Sequence, residues 1–175
     1  MYDNILYPTD GSRGAEVVMD HAADLARSYD ATLHVLFVVD AEHIESGMAP
    51  RHERIEERVT GMMKRDEETA GEGHMSQHDD SLLEALEYRG NEITDAVAEH
   101  LSENGVETVT AVKEGEPYQV ITEYAEENDV DLITMGTHGR RGLRRRLIGS
   151  VTEKVVRISE VPVLTVRLNG EESSE

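Results

Sequence analysis

There is no cysteine in this 175-residue chain, which excludes disulfide frameworks, thiolate nucleophiles and cysteine-based zinc sites. Tryptophan is absent too, and aromatic residues make up only 4%, so the stacking platforms that hold single-stranded nucleic acid have little to be built from. No apolar run approaches the roughly 18 residues that cross a bilayer. The opening Met1-Tyr2-Asp3-Asn4 has neither a basic region nor a separate apolar core, so no secretory leader is expected and the chain reads as cytoplasmic. Lysine is scarce: of 17 basic residues only Lys64, Lys113 and Lys154 are lysine, against 37 acidic ones. The resulting formal charge of −20 repels nucleic acid and anionic membranes alike.

What is present is patterned. Hydrophobic residues make up 38% and fall into periodic blocks, which a disordered acidic chain would not show. The acidity suits a high-salt cytoplasm, where screening shortens to a few ångströms and self-repulsion matters little; an acidic mesophilic protein is the plainer alternative. Residues 3–9 read as a short buried strand ending at Pro8, with Asp10-Gly11-Ser12 as a turn and helix cap. Val18, Ala22, Leu25, Ala26 and Tyr29 place a helix over about 13–29. Thr32 to Val39 is a nearly continuous apolar run, as in a parallel strand covered on both faces. A largely exposed helix is expected within 42–69 and an unpatterned loop at 70–81. A further helix follows from Leu82, weakened at Gly90 and ended by Asn104-Gly105. Strands are expected at 106–112, 131–135 and 162–168, with helices on the stripes Val120, Ile121, Tyr124, Ala125 and Val151, Val155, Val156, Ile158. The strand–helix alternation predicts an α/β fold, a parallel sheet with helices on both faces, as one domain over 1–168 with a frayed tail at 169–175.

The segment richest in chemistry is Met135-Gly136-Thr137-His138-Gly139-Arg140, continuing to Gly149-Ser150-Val151. It follows a strand and opens a helix, and its spacing is Gly-x2-Gly-x9-Gly-Ser. Glycines let main-chain N–H groups approach an anion, and the helix N-terminus adds partial positive charge. Five arginines lie within 140–146, where they offer charge-assisted phosphate contacts. The spacing is neither a Walker A loop nor the G-x-G-x-x-G fingerprint; a glycine-rich turn before a capped helix is the plain alternative.

Asn4-Ile5-Leu6-Tyr7-Pro8-Thr9-Asp10-Gly11-Ser12 resembles the opening of the universal stress protein family. So do Asp131 to Arg140, Gly149-Ser150-Val151 and Val161-Pro162-Val163-Leu164-Thr165-Val166, and the match covers about 3–40 and 106–168. The glycine spacing is similar to that of the family's nucleotide-binding subclass. The resemblance implies five parallel strands in a Rossmann-like, adenine nucleotide alpha hydrolase-like fold. It implies a homodimer through the last strand (162–168), and ATP, with Mg2+, in the crevice where strand order reverses. On that basis Pro8, Thr9 and Asp10 lie at the end of the first strand, with Asp10 at the ribose, and Val38 gives main-chain hydrogen bonds to adenine. Met135, Gly136, Thr137, His138, Gly139 and Arg140 wrap the phosphates, and Gly149, Ser150 and Val151 close the site. The stretch about 61–81 looks like an insertion relative to the family.

Other candidates carry less. Asp10 as a catalytic carboxylate or metal ligand competes with a turn-capping aspartate. His138 has no partner base or nucleophile in sight, so no catalytic residue is assigned. His74 and His78 have metal-like spacing without a helical face, and no metal site is assigned. Met62-Met63 reads as core filler, and the runs Glu53 to Glu57 and Glu123 to Asp129 as solvated helix faces. The implied role is nucleotide-dependent regulation in a stress response; the alternative is a slow ATPase or nucleotide hydrolase on the same fold.

Overall fold

Ile5, Leu6 and Tyr7 are consecutive in one strand, yet each exposes 1% or less of its surface. Successive strand residues face opposite sides, so both faces of this sheet are covered, and the strands are apolar without alternation for that reason. The computed structural model describes residues 1–40, 75–137 and 148–167. Their elements are β1 (Asn4–Thr9), α1 (Arg13–Tyr29), β2 (Thr32–Val39), α2 (Met75–Glu103), β3 (Thr108–Glu114), α3 (Pro117–Glu127), β4 (Leu132–Gly136), α4 (Ser150–Ile158) and β5 (Val163–Val166). The strands pair in parallel in the order β3-β2-β1-β4-β5, the five-stranded parallel sheet that the alternation predicts.

Two cores flank the sheet. One packs Val18, Ala22 and Ala26 of α1 and Leu101 of α2 against Ile5, Tyr7, Leu33 and Val35. The other packs Ile121, Tyr124 and Ala125 of α3 and Val155 of α4 against Leu6, Leu36, Ile133 and Met135. Local chemistry sets the ends of these helices. Ser12 Oγ accepts from the Ala15 amide at α1's start, and Asp30 ends it in the left-handed region at φ 57°. Gly105, at φ 74°, ends α2, with the Val106 amide donating to the Leu101 carbonyl. Pro117 opens α3, where its missing N–H costs nothing. Glu123, Glu126 and Glu127 are exposed on α3, the solvated face expected of that acidic run.

Several boundaries differ from the sequence expectation. Residues 75–81 are the first turns of α2 rather than loop, and Gly90 does not interrupt that helix. Residues 75–81 are almost all polar, so no apolar period marks the helix in the sequence. β3 occupies 108–114 rather than 106–112: Val106 is buried by closing α2's end and not by pairing. β4 and β5 each begin one residue later than expected. The helix expected within 42–69, Met62-Met63, Glu53 to Glu57 and the tail 169–175 lie outside the described residues.

One buried group makes stability depend on pH. His34, in the middle of an apolar strand, has Nδ1 3.1 Å from the Tyr124 hydroxyl and Nε2 3.4 Å from Asn4 Oδ1. Burial disfavours the imidazolium and holds its pKa below the ordinary 6.5. The unfolded chain then takes up a proton that the folded one resists. His34's contribution is complete above about pH 6.5 and is lost as the pH falls below it. Urea unfolding between pH 7.5 and 5 should show that decline, and His34→Gln should flatten it; an unchanged slope would remove His34 as its source.

Candidate functional site

The site begins where two central strands part. At their amino ends β1 and β4 are tied together: Asp131 Oδ2 accepts from the amides of Asp3 (2.7 Å) and Asn4 (2.9 Å). These bonds hold the Asp131 carboxyl below the usual carboxylate range. The strands then pair at Ile5↔Leu132 and Leu6↔Ile133, and the Thr134 hydroxyl donates to the Leu6 carbonyl at 3.1 Å. Beyond that level the β1–β4 ladder stops, although β1 continues to Thr9 and β4 to Gly136. Chain direction explains the opening: after β1 the chain turns to α1 on one face, and after β4 to α4 on the other. Strand order reverses here, and open parallel sheets hold ligands in this crevice at the carboxyl ends of their strands.

The β1 turn forms one wall. Thr9 is buried, and its Oγ1 accepts from the Gly11 amide at 3.2 Å. Asp10 Oδ1 accepts from the Ser12 amide at 3.0 Å, so this carboxylate does shape the turn, as the plainer reading of Asp10 has it. Tyr7 supports the turn from below. Its hydroxyl donates to the Ala15 carbonyl at 2.7 Å, and burial pushes its pKa up to about 12. Pro8 is half-buried and pairs with Leu36. β1 pairs with β2 only as far as Thr9↔Phe37, whereas the β2–β3 ladder continues to Val39↔Glu114. Val38 therefore lies past the last β1 partner in β2.

The other wall is the start of the β4–α4 connection. The Thr137 amide donates to the Val166 carbonyl at 2.9 Å, and the Gly149 amide donates to the Thr137 carbonyl at 2.7 Å. The two stems of the glycine segment are thus closed on each other at the strand end. Gly149 is the N-cap of α4 and supplies no side-chain cap, so no cap side chain competes with an anion for the first-turn amides at Ser150 and Val151. Ser150 is exposed. Met135 is buried among the α3 and α4 side chains, so its side chain belongs to the core. His138, Gly139, Arg140 and the arginine-rich stretch up to 146 lie outside the described residues, as does His74. Among the described residues no group of three or more histidine or acidic side chains is arranged to hold a metal ion.

Sequence reasoning missed Thr152. It is buried, and its hydroxyl donates to the Gly136 carbonyl at 2.8 Å, fixing the first turn of α4 to the end of β4. A threonine three residues into a helix was the available signal. Thr152→Val keeps the shape and removes the donor; it should lower unfolding free energy by about 1–2 kcal/mol in urea titrations. A neutral result would mean that this bond does not tie the helix to the strand.

A sheet wound in both directions from a central pair of strands, with its crevice at the carboxyl edge, defines the doubly wound α/β class. Comparison with known proteins narrows this. The model of the universal stress protein family matches residues 1–167, and the chain belongs to that family. It is 32% identical over 167 residues to the universal stress protein MJ0531 of Methanocaldococcus jannaschii, across 95% of this chain and 83% of that one. To MJ0577 of the same organism it is 30% identical over 175 residues, covering 95% and 96%. The solved structure of MJ0577 superposes with a TM-score of 0.74 at 27% identity, covering 98% of this chain and 99% of that one. A universal stress protein in complex with cAMP (TM-score 0.58, 19% identity, covering 95% and 97%) shares the fold. So does an Arabidopsis thaliana family member with AMP bound (TM-score 0.58, 17% identity, covering 99% and 97%). No helix among the described residues is long and apolar enough to cross a membrane.

Proposed function

We propose that this protein binds an adenine nucleotide, ATP with Mg2+, in the β1–β4 crevice. The nucleotide acts as a ligand that sets conformation or dimer state, not as a substrate for turnover. The observation that carries this reading is the early end of the β1–β4 ladder beside an α4 N-terminus capped only by Gly149. That arrangement offers main-chain donors to a phosphate at the mouth of a crevice. AMP and cAMP in structures of the same fold support the choice of nucleotide. In this reading the Val38 main chain meets the adenine edge, Asp10 the ribose, and Pro8 and Thr9 the floor. Gly136, Thr137, His138, Gly139, Arg140, Gly149, Ser150 and Val151 surround the phosphates, along the main chain that Met135 leads into. β5 is an edge strand with Leu164 exposed on it, which supports a homodimer through 162–168. The charge of −20 supports adaptation to high salt, and 1–168 is taken as one domain carrying an insertion at about 61–81.

The test is thermal unfolding in high-salt buffer with and without Mg·ATP. At a hundredfold excess over the dissociation constant, binding stabilises by about 2.7 kcal/mol, or roughly 5–10 °C for a chain of this size. No shift at millimolar nucleotide, with the protein demonstrably folded, overturns the reading.

A further inference from the structure

Gly11 is exposed and has φ +70°, a region that glycine enters and leaves without steric cost. It sits between two hydrogen bonds that shape the β1 turn: its own amide donates to Thr9 Oγ1, and the Ser12 amide donates to Asp10 Oδ1. The second of these sets the direction of the Asp10 carboxylate, and the backbone at Gly11 brings the Ser12 amide within its reach. Both bonds close within residues 9–12, so neither fastens the turn to a distant part of the molecule.

Ile93 does. A Cβ added at Gly11 would meet Ile93 Cδ1 at 2.8 Å, Cγ1 at 3.4 Å and Cγ2 at 3.6 Å, and these are its three nearest atoms. The isoleucine therefore occupies the place that a side chain at position 11 would take. Its own position is fixed by its neighbours on α2. Gly90, three residues earlier, is buried against Phe37 of β2 and Val112 of β3, and Thr94 is buried as well. Residues three apart share a helix face, so one face of α2 rests on β2, on β3 and on the β1 turn. A β-branched side chain in a helix keeps its χ1, which holds Cγ1 and Cγ2 in place although Cδ1 can swing.

The geometry points to Ile93 as a positioning residue for the nucleotide: from α2 it holds the Asp10-Gly11-Ser12 turn in the shape that directs the Asp10 carboxylate to the ribose hydroxyls. This rests on the nucleotide-binding reading above and adds to it the residue that preorganises one wall. Isothermal titration with ATP and with 2′,3′-dideoxy-ATP, both with Mg2+, tests it on wild type, Ile93→Ala, Ile93→Val and Val97→Ala. Val97 lies four residues further along the same face and packs against the core one helical turn away. Wild type should prefer ATP about tenfold, because Asp10 accepts from the ribose hydroxyls. If Ile93→Ala leaves the turn competent about a tenth of the time, ATP binds about tenfold more weakly and the dideoxy analogue within about twofold, so the preference disappears. Ile93→Val keeps both γ carbons and should lose only about threefold for ATP; it carries the test if Ile93→Ala does not fold. Val97→Ala should lower the urea midpoint and leave both affinities unchanged. The assignment is overturned if the folded Ile93 variants bind ATP as wild type does, if they weaken both ligands equally, or if Val97→Ala loses as much. If wild type binds the two ligands equally, Asp10 does not read the ribose, and this assignment falls while the nucleotide reading stands. If wild type binds neither, the nucleotide reading falls with it.

Discussion

Gly90→Val should lower the unfolding free energy by about 3 kcal/mol, the upper end of what overpacking costs, and the melting temperature by roughly 6–12 °C. A Cβ on Gly90 would sit 2.8 Å from Phe37 Cδ1, closer than real Cβ atoms come, and 3.0 Å from Val112 Cγ1, a contact tight enough that the neighbour must give. Both neighbours belong to buried or half-buried strand ends, so relief means moving a packed ring or lifting α2. Gly90→Ala is the informative control. In an open helix that change gains up to about 1 kcal/mol from backbone entropy; here the contact with Phe37 outweighs it, and a net loss of about 1 kcal/mol is expected. Urea titration measures both. An alanine variant more stable than wild type would show that α2 does not need to approach β2 and β3 this closely.

Gly11→Val should cost about as much for a different reason. Gly11 has φ +70°, a region that β-branched residues avoid at a penalty of about 1–2 kcal/mol or more. Its Cβ would also meet Ile93 Cδ1 at 2.8 Å, but that atom is the end of a flexible side chain and can yield. Backbone strain is therefore the larger part. Gly11→Asn, which tolerates the left-handed region, should lose about 1 kcal/mol where valine loses about 3. Equal losses would place the cause in the contact with Ile93 and not in the turn. Because Gly11 lies between the Thr9 and Ser12 hydrogen bonds that shape the β1 wall, the valine variant should also weaken Mg·ATP binding in the thermal-shift assay. These two glycines are where α2 touches the β1 turn and the ends of β2 and β3, so the pair also tests how the crevice wall is seated.

Much of this fold is legible in the residues. α1 occupies 13–29 and β2 occupies 32–39, as the sequence predicts, because the cap at Ser12 and the unbroken run Thr32 to Val39 are local signals. The turn at Asp10-Gly11-Ser12 is equally local: the Asp10 carboxylate accepts from the Ser12 amide, the Gly11 amide donates to Thr9, and the Ser12 hydroxyl accepts from the Ala15 amide, all within seven residues of chain. β3 is displaced because edge strands are half-exposed and their apolar pattern is weak. α2 starts earlier than its apolar stripe because residues 75–81 are almost all polar and show no hydrophobic period.

The sequence by itself determined the class of fold and the order of its elements, since hydrophobic period and capping act between near neighbours. It also determined where a glycine-capped helix follows a strand. Only the tertiary structure decided that the β1–β4 ladder ends at Leu6↔Ile133, that Thr152 ties α4 to Gly136, and that Arg89 Nε is buried without an acceptor. Each of these joins residues distant in the chain or weighs burial against hydrogen bonding, and neither quantity exists until the sheet and its helices have come together.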